Sequence, residues 1–455
     1  MTLVVSSPVT DSLVITPATI TISTGATTLF TVMEKLANGT IQALPPGTVV
    51  AWSSDTTSVA TIDPNSGLAL GVKAGTANII ATSTGLNPGA AVLTVVPAVS
   101  RFAYVGDLND NTSTAIAEFS VDVTNAKLNP LTPASVAGRF PQQLVQHPSG
   151  KFVYEIDGTN FVRVYDFSSG QLAEDTTLGP YQAGNSGFGK AIVNPTGQFL
   201  YVINNSATAP PVDGVYGFTI DQSNGALTAI GTAGVPLFSD ASVPALSNPV
   251  DVLMDHQGKH LYVVNSGNNT INAYGIDASG GLTALSSPTI GTGASPSFGA
   301  IDPSDTHLYV ANTVDNSVTV LKLDPSTGLL SSGGADTKVT GATSLLNLAV
   351  DPSGKYLYAL DSAPAAGNNL YAYVLNADGT LPATAAASYP TGAGPFGISI
   401  DASGTVLAVV NNLDGPPASV SLFSLAPATG VLTPTATVTA ASWTNPEFLT
   451  FYNAP

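Results

Sequence analysis

The chain has 455 residues, 44% apolar and only 9% charged, with 12 basic against 30 acidic residues and a net charge of −18. That balance excludes nucleic acid and anionic membrane surfaces as partners. With no cysteine there is no disulfide or thiolate metal site, and no apolar run approaches the ~18 residues of a membrane span. Met1 is followed by Thr-Leu-Val-Val without a basic stretch, so no signal peptide is read from these residues. A surface built from Thr, Ser, Ala, Gly and Asn nevertheless points to an extracellular or cell-surface protein.

Residues 1–98 show short alternating strands: Ser12–Ile15, Thr19–Ile22, Thr27–Val32, Val49–Ser53, Ala60–Ile62, Ala77–Ala81 and Ala91–Val95. Turn formers separate them, among them Asn38-Gly39, Pro45-Pro46-Gly47 and Asn87-Pro88-Gly89. About seven short strands in ~100 residues predict an immunoglobulin-like sandwich, with Trp52 as the large core filler in place of a disulfide.

From residue 99 a repeat takes over. A strand carrying Tyr ends three residues later in Asn or Asp: FAYVGD (Phe102–Asp107), FVYEID (Phe152–Asp157), FLYVIN (Phe199–Asn204), HLYVVN (His260–Asn265), HLYVAN (His307–Asn312) and YLYALD (Tyr356–Asp361). A seventh copy, VLAVVN (Val406–Asn411), replaces the Tyr with Ala408. The turns before these strands start at His147, Asn194, Asp255, Asp302, Asp351 and Asp401, spaced by 47, 61, 47, 49 and 50 residues. Four of the five spacings match a four-stranded propeller blade; the long one contains an insertion around Thr232–Ser247. The expected fold class is therefore all-β, an Ig-like sandwich (1–98) followed by a seven-bladed propeller (99–455). The first repeat lacks its innermost strand, and Asn445-Pro446-Glu447-Phe448-Leu449 at the far end is expected to supply it and close the ring.

Each candidate for chemistry stands beside a plainer reading. The seven strand-ending Asx residues would ring one mouth of the channel, yet a feature of every blade fits turn formation better. The starts of the innermost strands differ from blade to blade: Gln143, Lys190, Asp251, Phe298, Asn347, Gly397 and, at the C-terminus, Glu447-Phe448. An asymmetric ligand needs such differences. Gln143, Lys190, Asp251, Asn347 and Glu447 are the expected ligand-binding set, with Lys190, Asp251 and Glu447 as the candidate catalytic residues; the plainer reading is a channel lined by paired charges. Gly184–Ala191 matches a phosphate loop up to Ala191, which stands where Ser or Thr would hold Mg²⁺, and a strand rather than a helix follows. Asp107-Leu-Asn109-Asp110-Asn111 has part of a calcium loop's alternating oxygens but lacks its Gly and closing Glu. No metal site and no cofactor is expected, a structural hard cation such as calcium aside. The four histidines show no metal spacing, and no Gly-x-Ser-x-Gly elbow occurs.

Two resemblances add to this. Val50-Ala51-Trp52-Ser53-Ser54-Asp55, Ser58–Asp63, Gly67–Ala77 and Ala91–Val95 resemble the bacterial Ig-like domains of group 2, which implies a spacer or adhesive module. Asp351-Pro-Ser-Gly-Lys-Tyr-Leu-Tyr, Leu308-Tyr-Val-Ala-Asn and Asp324-Pro-Ser-Thr-Gly-Leu-Leu resemble the seven-bladed propellers of the YVTN and lactonase-like group. Enzymes of that group carry an Arg-His pair at the start of an innermost strand, plus a channel Glu. No Arg-His pair occurs in this chain; Arg139 and Glu447 are the nearest residues. The expected role is therefore a surface binding or structural module. Its partner would be a polysaccharide or an envelope or matrix protein, and the sparse charge would also suit self-association. A lactone- or sugar-directed hydrolase or isomerase at the channel mouth is the alternative.

Overall fold

The computed structural model describes residues 11–23, 27–73, 75–96, 101–108, 115–159, 161–167, 170–184, 188–205, 214–239, 245–362, 369–412, 418–439 and 443–453. They form two compact units, Met1–Val99 and Ser100–Pro455, and every regular element is a β-strand.

In the N-terminal unit, Thr19–Ser23 pairs in parallel with Gly89–Val96, which continues antiparallel through Gly75–Thr82 to Ala51–Ser54. Two three-stranded sheets complete it. The strand expected over Thr27–Val32 is broken at Phe30. Its N–H instead binds the Gly67 carbonyl at 2.9 Å, and its ring is buried 6.5 Å from that of Trp52. The chain changes sheets there, so Thr27–Leu29 and Thr31–Lys35 belong to different sheets. Leu68–Gly71 and Ile41–Gln42 are further strands that alternation did not single out.

The larger unit is seven sheets, each running outward through successive antiparallel strands. Blade four is typical: Pro249–Met254, His260–Asn265, Thr270–Ile276 and Leu282–Gly291. The second strands of blades two, four, six and seven are buried along their whole length, and the other three but for one or two end residues, as expected of strands packed between two blades. In blade one, Pro446–Asn453 pairs antiparallel with Arg101–Asp107, so the chain's end is the innermost strand of the first blade.

The repeated Tyr has one job. Its hydroxyl donates to a turn carbonyl of the next blade: Tyr104 to Gly170, Tyr154 to Gly225, Tyr201 to Gly280, Tyr262 to Gly328, Tyr309 to Gly379 and Tyr358 to Gly430, at 2.7–3.2 Å. Each acceptor glycine has a positive φ near +65 to +85°, a region that favours glycine. It also lies under the ring that opens the preceding blade's second strand. A Cβ would meet Phe152 at 2.8 Å from Gly225 and Phe199 at 2.6 Å from Gly280, and His260 and His307 cover Gly328 and Gly379 in the same way. Those two histidines are thus ring fillers. The seventh seam differs on every count. Ala408 has no hydroxyl, Val406 replaces the ring, and the facing turn residue is Ala126 at φ 45°. Its carbonyl is served by Thr435 Oγ1 at 2.9 Å instead.

The turn before each second strand is held by its first residue. Asp255, Asp302, Asp351 and Asp401 accept the N–H groups four and five residues on. Two glutamates are buried in the first two blades. Glu118 accepts the Leu172 N–H at 2.7 Å; Glu155 accepts the Tyr165 hydroxyl at 2.6 Å and the Arg139 N–H at 2.8 Å. Burial pushes both up to about 7, against the lowering effect of those donors.

Two outcomes follow from this packing. Tyr262→Phe removes one hydrogen bond and is expected to cost about 1 kcal/mol. Gly328→Ala forces both a strained φ and a clash with His260 and is expected to cost roughly 2 kcal/mol or more in urea denaturation. An equal or reversed order would contradict this account of the Tyr262, His260 and Gly328 packing. The second outcome concerns acid. The folded proton affinity of Glu118 and Glu155 exceeds the ordinary value of 4.5, so between pH 4.5 and about 7 the native state holds protons the unfolded chain has lost. Stability therefore falls as pH rises through that window. Thermal melts should show this slope, and Glu118→Gln should flatten it.

Candidate active site

The innermost strands enter the channel through a shared irregularity. Pro141, Pro249, Pro296, Leu345, Pro395 and Pro446 each lie opposite a strand-ending Asx, and the register then slips by one residue. Such bulges re-aim side chains. After the slip, Gln143 faces Ile156, Asp251 faces Val264, Asn347 faces Leu360, Gly397 faces Val410 and Phe448 faces Gly106. Blade three has no slip, yet Lys190 faces Ile203 in the same register. In blade one the extra residue of the bulge is Glu447.

The Asx residues themselves are buried; Asp157 binds forward within its own turn, whereas Asp107, Asn265 and Asp361 hold the entry of the innermost strand and Asn312 and Asn411 bind the third strand. Asp157 accepts from the Thr159 N–H at 2.8 Å, Asp361 from Ser344 at 2.7 Å, and Asp107 from Thr444 at 2.6 Å and Asn445 at 3.1 Å. Asp107 thereby fixes the entry of the C-terminal strand. Asn109–Asn111 of the suggested calcium loop fall outside the described residues, as do residues 185–187 of the phosphate-loop match; Phe188–Val193 after it is a strand. Among the described residues no group of three or more His, Asp or Glu side chains is placed to hold a metal.

Of the five expected binding residues, three are stitched to the following blade. Gln143 accepts the Ala191 N–H at 2.6 Å, Asp251 accepts that of Gly299 at 2.9 Å, and Asn347 donates to the Phe396 carbonyl at 3.1 Å. Their polarity thus has a structural reason that the plainer reading of a lined channel did not include. Gln143, Lys190, Asn347 and Glu447 line a cavity of about 170 Å³ together with Phe298 and Phe396. Asp251 is not on that lining; its charge is felt by Lys190, and the Val252 N–H binds its other oxygen at 3.0 Å. The Lys190 ammonium lies 5.3 Å over the Phe298 ring, which meets Phe396 edge-on at 6.1 Å. Asn445 donates to Glu447 at 3.3 Å.

The electrostatics follow from this enclosure. Lys190 keeps contact with the narrow cavity, but protein surrounds it closely enough that lost hydration holds its ammonium below the usual lysine range. Asp251 and Glu447 pull it back up. Burial pushes Asp251 up to about 6, opposed by the Gly299 N–H and by Lys190. Burial also raises Glu447, with Lys190 and Asn445 opposing and Asp107 adding to the rise. One cation between two reluctant carboxylates, beside a small cavity, is an arrangement that can move a proton and stabilise a developing anion. A larger hollow of about 510 Å³ on blade seven, between Pro390–Gly392 and its outer strands, is lined by no titratable side chain. All four histidines bind turn groups instead: His147 the Gly197 carbonyl, His256 Asp305, His260 Asp255 and His307 Asp302. Phe396, a wall of the site, was not read from sequence; counting the bulge residue of each blade would have found it.

The chain matches the family model of the seven-bladed lactonase β-propeller over residues 156–347 and that of the bacterial Ig-like domain, group 2, over residues 9–94. No curated protein matches it. Among solved structures it is similar to the periplasmic gluconolactonase of Pseudomonas aeruginosa, with a TM-score of 0.65 and 16% identity over 79% of this chain and 100% of that one. It is also similar to a protein named as a candidate 6-phosphogluconolactonase from Bacteroides fragilis, with a TM-score of 0.64 and 20% identity over 78% and 98% of the two chains. A Bacteroides uniformis protein of the same description scores 0.62 at 19% identity, over 78% and 99%. At such identities the solved structures establish the fold. The expectation of a surface binding or structural module is corrected by the lactonase family match and these lactonase-named neighbours, which favour the alternative. The chain is thus an N-terminal Ig-like unit followed by a seven-bladed β-propeller, with residues 9–94 similar to the group 2 bacterial Ig-like domains and residues 156–347 similar to the lactonase propellers.

Proposed function

We propose that the propeller is a hydrolase that opens small lactones at the mouth of its channel. The observation that carries this reading is the meeting of Lys190 with Asp251 and Glu447, from blades three, four and one, beside a cavity walled by Phe298 and Phe396. The family match and the neighbours' printed activities support the reaction class.

In this mechanism the lactone carbonyl oxygen lies against Lys190, whose ammonium stabilises the oxyanion that forms when water attacks the carbonyl carbon. Glu447, on the cavity lining, takes the proton from that water as general base. The tetrahedral intermediate collapses, the ring C–O bond breaks, and the same proton passes to the leaving oxygen. One water is consumed and one hydroxy acid is released. Asp251 acts through Lys190 as a positioning residue, keeping the ammonium charged within its enclosure. Lys190 thus carries the cationic role for which the group's Arg-His pair is absent.

Lactone opening followed in a pH-stat, with spontaneous hydrolysis subtracted, tests the assignment. Lys190→Met is expected to lower kcat roughly 10²–10³-fold and Glu447→Gln roughly 10²-fold or more, each with an unchanged fold by circular dichroism. Activity should rise with pH as Glu447 ionises, above the ordinary carboxylate value of 4.5, and fall as Lys190 loses its proton, below the ordinary lysine value of 10.5. Asp251→Asn removes an attraction that favours the charged lysine, so the alkaline limb should move to lower pH. Full activity in both the Lys190 and Glu447 variants would end the proposal.

A further inference from the structure

Resting on the hydrolase reading, we infer that the site selects uncharged lactones and rejects phosphorylated ones, with Glu447 and Asp251 as the discriminating residues. The cavity is small, about 170 Å³, below the ~300–1,000 Å³ of pockets for drug-sized ligands. Whatever occupies it lies close to every charged group at its wall. Among the described lining residues Lys190 is the sole cation, and its charge is already offset by Glu447 on the lining and by Asp251. The rest of the wall is uncharged: Phe298, Phe396 and Phe448, aliphatic side chains, Thr450 and the amides of Gln143 and Asn347, both of which are already engaged by the neighbouring blade's backbone.

A phosphate ester would bring about −1.5 to −2 charges and would need a guanidinium fork or a cluster of ammonium groups to receive it. Arg139, at the entry to blade two, is exposed and does not line the cavity. The net charge of −18 adds a repulsive field for any approaching anion. A neutral polyhydroxylated lactone meets none of these penalties. Its carbonyl suits the ammonium, its hydroxyls suit Glu447, and its ring face suits Phe298 and Phe396.

The experiment compares glucono-1,5-lactone with its 6-phosphate ester on the full-length protein. At low ionic strength kcat/KM is expected to favour the neutral lactone by about 100-fold, and the preference should shrink several-fold in about 0.5 M NaCl, where charges are screened. Gln143→Lys, which adds a cation at the wall, should narrow the preference about tenfold. Equal or faster opening of the phosphate ester overturns this inference while leaving the hydrolase intact. A preference that responds neither to salt nor to Gln143→Lys overturns its electrostatic basis. If neither lactone is opened, the hydrolase reading itself fails, and the inference fails with it.

Discussion

The contact on which the propeller depends is the bond from a buried tyrosine of one blade to a glycine carbonyl of the next. It occurs at six of the seven seams. Individually such a bond contributes on the order of 1 kcal/mol. Collectively the bonds set the angle and spacing between blades, because the glycine lets the preceding ring lie directly on the turn. Tyr, the ring that opens its strand, and the positive-φ Gly form one unit. Removing any member opens a gap or creates a clash in a closely packed interior.

The seventh seam shows that the unit is replaced as a whole. Where Ala408 lacks the hydroxyl, Val406 lacks the ring and Ala126 takes the place of glycine; Thr435 supplies the donor. Blade one is also where the two ends of the domain meet. Asp107 there binds the Thr444 and Asn445 N–H groups, and Asn445 in turn binds Glu447. The residue that anchors the returning strand therefore also positions a carboxylate of the candidate site. Fold closure and site construction share the same few bonds.

Inter-blade stitching explains why polar residues occupy the channel mouth. Gln143, Asp251 and Asn347 each bind the backbone of the following blade, where buried N–H and C=O groups of an innermost strand need partners. Lys190 and Glu447 differ from that pattern. They are the charged residues of the cavity lining, and their titration is shifted by the same loss of water that shifts Asp251. Chemistry is thus concentrated where the pseudo-symmetry of the scaffold is broken.

The sequence by itself determined the class and number of repeats. Strand alternation, turn residues and a 47–50-residue spacing are local signals, and the Asn-Pro start of the last strand marked it as the partner of the first. It also identified Gln143, Lys190, Asp251, Asn347 and Glu447 as the positions where blades disagree. It did not show which of them bind the next blade, nor that Asp251 alone of the five lies off the cavity lining. Those distinctions depend on which backbone group of the next blade, some 48 residues away, lies within hydrogen-bond reach. The role of the repeated Tyr was likewise invisible, because its acceptor lies 66–79 residues downstream. Only the tertiary structure decided these points: burial and proximity around a closed ring are properties of all seven blades together, and no local pattern encodes them.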